Sequence, residues 1–241
     1  MNTLTIFRRE VGQYFSTPFA YLIAAAVLLF TGLLFNRNLT QAAQQAIPVD
    51  PAFIPSVLSF TMIFFAPLLT MRLLAEERRE GTMELLLTSP VDEGSIVAGK
   101  FLGAWFYYSV LLALTFVYQF ALLAISQPDL GHTFCAYIGI WLYGGATMAV
   151  GMLFSALTEN QIVAAFLSMI ALLLLWLGDS VGQLITNIDV ARVIRTLTLQ
   201  GHYSTSFAVG LLRGEDVAFF AGIITVLIFL TIRIVASNRW R

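Results

Sequence analysis

Six unbroken apolar stretches leave this chain little choice of fold. A membrane-crossing helix needs about 20 predominantly apolar residues, because each residue rises about 1.5 Å and the hydrocarbon layer is about 30 Å thick. The stretches fall at roughly residues 19–35, 54–75, 101–125, 134–157, 162–177 and 217–236. Pro67 lies inside the second and predicts a kink there. The 241 residues are 59% apolar and only 11% charged. One water-soluble core could not hide that much apolar side chain. A soluble α/β enzyme, a disordered chain, a coiled coil and a disulfide scaffold are therefore excluded. Cys135 is the single cysteine, so no intrachain disulfide can form. The first apolar run begins after Pro18 without a small-residue cleavage pattern, so we read it as a span and not as a removable signal. The expected fold is an all-α polytopic membrane protein with six transmembrane helices.

The placement of cations predicts an orientation. With the N-terminus inside, the inner connections hold Arg8, Arg9, Arg72, Arg78, Arg79, Lys100, Arg233, Arg239 and Arg241, and the outer ones hold Arg37, Arg192, Arg195 and Arg213. Nine against four satisfies the positive-inside rule. Both termini are expected in the cytoplasm, with the chain in the cell membrane. Arg72 and Arg233 lie near the inner ends of their stretches, where long side chains reach the headgroups. Nothing basic is clustered enough to bind nucleic acid.

Four segments lie outside the spans. Residues 1–18 carry Leu4, Phe7, Val11, Tyr14 and Phe15 at helical spacing, with Arg8, Arg9, Glu10 and Gln13 assigned to the opposite, polar face. They predict an amphipathic helix lying on the inner membrane surface. The connection between spans two and three, residues 76–93, is the densest charge cluster in the chain. Gly81 is expected to break the incoming helix and Thr82 to cap a new one, and Ser89-Pro90 then stops that helix or starts the next. That short helix carries Met83, Leu85, Leu86 and Leu87 outside the bilayer. About two turns are unstable alone, so it needs the membrane surface or a groove in a partner. The third segment, about residues 182–216, predicts short outer helices, one of them capped by Asp189, that dip back into the bilayer. His202 reads there as a structural residue. The fourth, residues 36–52, reads as a polar outer loop.

Enzyme chemistry finds no support. Gly94 to Phe101 imitates a phosphate-binding loop, but Phe101 stands where the Mg²⁺-binding hydroxyl belongs, and no strand precedes it. Lys100 then reads as an inner-face anchor. Two His and one Cys, widely separated, build no zinc site. The Glu76-Glu77 pair lacks the arginine of a Glu-Glu-x-x-x-Arg protease, since Gly81 stands there. Acidic residues, which mark ion paths in carriers, are scarce in the spans. Gly99-x-x-x-Gly103 and Gly178-x-x-x-Gly182, with Gly144, Gly145 and Gly151, predict close helix approach.

Taken together, the N-terminal amphipathic helix, the six spans and the loop Glu76-Glu77-Arg78-Arg79-Glu80-Gly81-Thr82-Met83-Glu84-Leu85-Leu86-Leu87-Thr88-Ser89-Pro90 resemble the permease subunits of ABC-2 type ABC transporters. The stretches around Gly201-His202-Tyr203, Glu215-Asp216 and Asn238-Arg239-Trp240-Arg241 are similar to its gliding-motility branch. The resemblance implies a connecting helix at 1–18 and a single six-span domain at 19–241, with re-entrant outer helices at about 182–216. It implies that the 76–90 loop is a coupling helix docking on a separate ATPase through Glu76, Glu77, Arg78, Gly81, Thr82, Met83, Glu84, Leu85, Leu86 and Leu87. Two ATPase copies and a second permease, the same chain or a related one, would complete an exporter, with room for an outer-face accessory protein. ATP and Mg²⁺ would sit on the partner, and this chain would hold no cofactor and catalyse nothing alone. The reading from a different class is a membrane scaffold or assembly factor that moves nothing.

Overall fold

The computed structural model describes residues 3–83, 92–184 and 198–237, all in helices and their connections, with no strand among them. In chain order the helices are α1 (Thr3–Ser16), α2 (Pro18–Gln45), α3 (Phe53–Thr70), α4 (Arg72–Arg79), α5 (Glu93–Leu114), α6 (Phe116–Ile125), α7 (Leu130–Leu157), α8 (Gln161–Leu184), α9 (Leu199–Thr205) and α10 (Gly214–Ser237), with a 3₁₀ turn at Phe207–Val209. Among the described residues, six helical stretches are long and apolar enough to cross a membrane: α2, α3–α4, α5–α6, α7, α8 and α10. This is a multi-pass membrane protein.

Two spans are broken. Pro67 lies inside α3 and cannot donate to the Ile63 carbonyl one turn earlier. The helix itself breaks one turn later, at Met71, and Ser155 of α7 enters the gap. Its Oγ accepts from the Leu74 and Ala75 N–H groups, both at 3.1 Å, and donates to the Met71 carbonyl at 3.0 Å. Ser155→Ala removes all three bonds in a dry interior. It should destabilise the protein by about 1–3 kcal/mol, which thermal unfolding in detergent would register. The second break is at Thr115, whose hydroxyl donates to the Leu112 carbonyl at 2.7 Å between α5 and α6.

Helix α7 is the hub. It packs against α3, α5, α8 and α10, and glycines let its neighbours approach. A Cβ on Gly144 would meet the Tyr108 ring at 2.2 Å, and one on Gly151 would meet Thr70 Oγ1 at 2.0 Å. Tyrosines then tie spans together through backbone carbonyls. Tyr107 donates to Ala20, Tyr108 to Ile140 and Tyr118 to Leu28.

Two sequence expectations change. Helix α2 runs ten residues beyond residue 35, so most of the predicted polar loop at 36–52 is helix. The Ala- and Gln-rich run from Gln41 to Gln45 favours helix, and the chain turns only at Ala46, in the left-handed region (φ 53°), before Pro48. Helix α8 continues past Gly178 and Asp179 to Leu184. The cap expected at Asp189 lies outside the described residues, as do Ser89 and Pro90.

At the end of the bundle away from α1, the 182–216 segment includes a short helix, α9, which holds His202. Asp216, 4% exposed at the start of α10, receives His202 Nδ1 on Oδ1 and the Ser206 hydroxyl on Oδ2, both at 2.5 Å. The imidazole stacks on Phe219 with ring centroids 3.7 Å apart. Ser206 bonds the carboxylate and not the ring, so this group fastens a loop and lacks the order of a nucleophilic relay. His132 Nε2 holds the Ala208 carbonyl of the same segment at 2.8 Å. His202 is structural, as expected.

Candidate functional site

The dense charge loop is gripped at its root by buried ions. Helix α4 leads into the loop and α5 leads out of it. Helix α1 lies across α5, and the seat is the Gly99-x-x-x-Gly103 pair. A Cβ on Gly99 would sit 2.8 Å from Ile6 Cβ, and one on Gly103 would sit 2.7 Å from Glu10 Cβ. Thr3 donates to Ser95 at 3.1 Å, and Phe7 packs edge-on against Phe106. Gly103→Ala should therefore cost about 1–3 kcal/mol by overpacking. Gly12→Ala, where a Cβ meets nothing within 4 Å, should be neutral or stabilise by up to about 1 kcal/mol. The unfolding midpoint should fall for Gly103→Ala and stay level or rise for Gly12→Ala.

This close approach delivers Glu10 to Lys100. Lys100 is 2% exposed and Glu10 5% exposed. Lys100 Nζ lies 3.1 Å from Glu10 Oε2 and 3.0 Å from Glu77 Oε1. Arg9 adds a 2.8 Å bond to the same Glu77 oxygen. Two cations and two carboxylates thus neutralise each other at the meeting of α1, α4 and α5. Neutrality is required, since a lone buried charge would cost several kcal/mol. Burial pushes the Glu10 carboxyl above the usual carboxylate range, and the attraction of Lys100 opposes that rise without cancelling it. Nearby, Tyr14 donates to the Leu69 carbonyl at 2.6 Å and stacks on Tyr107, so α1 also holds α3.

The first turns of the loop are visible. Gly81 takes φ +70°, which a residue with a side chain adopts only with strain, and the chain turns out of α4 there. Thr82 donates back to the Glu77 carbonyl at 3.3 Å and so closes the incoming helix. The N–H groups that Thr82 was expected to cap in the next helix lie outside the described residues. On the far side Asp92 caps α5, accepting from the Ser95 N–H at 2.9 Å and its hydroxyl at 2.7 Å. Those bonds hold the Asp92 carboxyl below its ordinary range.

The predicted loop residues divide. Glu77 turns inward to the ion cluster, Glu76 lies 3.9 Å from Arg79, and Met83 is buried in the core. Arg78 closes α4 beside them. Glu84, Leu85, Leu86 and Leu87 lie outside the described residues. Sequence reasoning missed the cluster. It placed Glu10 on the polar face of α1, and it made Lys100 a surface anchor, whereas both are buried against each other. The available signal was that Lys100 sits inside the Gly99-x-x-x-Gly103 pair, where a second helix must come close.

The comparisons agree with this architecture. Residues 34–232 match the family model described as ABC-2 family transporter protein. A protein of Pseudomonas aeruginosa named "Probable ABC transporter permease protein NosY" is 31% identical over 120 residues, which cover 48% of this chain and 42% of that protein. The match therefore spans less than half of the relative's length. A six-span helical bundle matched by that family model over most of its length belongs to the ABC-2 family of transporter proteins.

Proposed function

We propose that this chain is the permease, the membrane half of an exporter driven by a separate ATPase that docks on residues 76–90. The observation that carries the reading is the buried cluster of Glu10, Lys100, Glu77 and Arg9. It ties α1 to both arms of the charged loop, so a push on the loop moves three helices together. A loop that only decorated the surface would need no such root. Glu76, Arg78, Gly81, Thr82 and Glu84 to Leu87 form the docking face, with Glu77 and Met83 anchoring it from within.

Two ATPase copies carry ATP and Mg²⁺. A second permease, identical or related, faces this one across the substrate path. Both termini and the loop lie in the cytoplasm, and the chain sits in the cell membrane, as the cation asymmetry supports. Residues 1–18 act as the connecting helix. Purification in mild detergent, with mass spectrometry of what remains bound, tests this. An ATP-hydrolysing subunit that stays with the chain and turns over ATP supports the proposal. Recovery of the chain with no nucleotide-hydrolysing partner contradicts it. A complex whose turnover no substrate stimulates would instead favour a scaffold.

A further inference from the structure

Next to the ion cluster, a half-open cavity of about 770 Å³ lies between the start of α2 and the end of α3. Its lining combines apolar Phe19, Ile23 and Leu68 with the charged Arg72, Glu76 and Glu80, and the ion cluster itself closes it through Arg9, Glu10, Glu77 and Lys100. Once internal pairing is accounted for, the charges of Arg72, Glu76 and Glu80 are incompletely matched. Among the described residues Arg72 has no carboxylate within 4.0 Å, and its Nε–H is withdrawn from water without an acceptor. Its guanidinium lies 4.5 Å from the centre of the Phe19 ring. Stacking on one face leaves the edge of the fork free for an anion. Glu76 and Glu80 lie 3.9 and 3.8 Å from the same Arg79, so two carboxylates share one cation.

The cavity thus presents one unpaired cation, one surplus carboxylate and an apolar wall built from two spanning helices. A phosphate complements the first, an ammonium the second and an alkyl chain the third. We propose that the cavity holds the headgroup of a zwitterionic phospholipid with a primary ammonium. The phosphate binds Arg72, the ammonium faces Glu76 and Glu80, and an acyl chain runs along Phe19 and Ile23. This inference goes beyond the docking proposal and does not depend on it. No ATPase enters its test, so the two fail separately.

The test uses the full chain, stripped of lipid in detergent, and native mass spectrometry with three probes in separate arms: phosphatidylethanolamine, phosphatidylglycerol and soluble glycerophosphoethanolamine. Phosphatidylethanolamine should be retained about tenfold better than phosphatidylglycerol, a difference of about 1.4 kcal/mol. The soluble headgroup should not be retained. Arg72→Gln should lower phosphatidylethanolamine retention about tenfold, and the Glu76→Gln/Glu80→Gln double variant should abolish the preference between the two lipids. Arg72→Lys, which keeps the charge and loses the fork, should fall between wild type and Arg72→Gln, and it decides the matter if Arg72→Gln does not fold. Equal retention by folded Arg72 variants, a preference for phosphatidylglycerol, or retention of the soluble headgroup as strong as that of the lipid would overturn the proposal.

Discussion

Lys100→Met should lower the stability of the folded protein by about 3–5 kcal/mol. The substitution removes the cation that Glu10 and Glu77 share at 3.1 and 3.0 Å and leaves Glu10 buried without a charged partner. Glu77 would keep Arg9 alone. Glu10→Gln should be much milder, because burial already favours the neutral form of this carboxyl. The double variant Lys100→Met/Glu10→Gln should recover part of the loss, and the size of that recovery measures the coupling between the two groups. The sign of the pH effect follows from the raised pKa. Glu10's favourable contribution is complete below the pKa of an unfolded carboxyl and is lost as pH rises through its higher folded value. Glu10→Gln should therefore flatten that part of the stability profile. Thermal unfolding in detergent between acidic and neutral pH checks all three variants. A Lys100→Met protein as stable as wild type would show that the cluster holds nothing together.

Reversing Glu84 to Arg and replacing Leu85, Leu86 and Leu87 with Ser should abolish assembly with the ATPase. A few buried apolar residues usually dominate such interfaces, so affinity should fall by at least about 100-fold, or about 2.7 kcal/mol. The permease itself should fold as before, because the root of the loop is held by Glu77, Lys100 and Met83. Unchanged elution, a lost partner and lost ATP turnover together form the expected pattern. Retained assembly with normal turnover would move the docking face elsewhere.

The spans were legible because the bilayer imposes a length on every crossing segment, and no other fold tolerates six such stretches. The breaks were less so. Pro67 pointed to an irregularity in the second span, but the break itself lies at Met71 and is satisfied by Ser155, 84 residues away. Nothing near Thr115 distinguished its break from continuous helix. The buried cluster was hidden for a different reason. In α1 the apolar stripe read from the sequence includes Leu4 and Phe15, which the structure leaves exposed, whereas Ile6 and Glu10 face α5. In a membrane protein the apolar stripe marks contact with lipid as readily as contact with protein, so the pattern indicated a face without saying what covers it. The glycine pair at 99 and 103 carried the missing information, since close approach is what brings Glu10 to Lys100. Glu76 to Pro90 carried the family resemblance in a segment that is only partly described.

Contact between this loop and the ATPase is tested most directly by a photo-reactive residue placed at position 85 in the full chain and irradiated in cells. The expected result is a cross-link to an ATP-hydrolysing subunit, identified by mass spectrometry and lost when the Glu84 reversal is added. Cross-links only to lipid or to this chain itself would contradict the account.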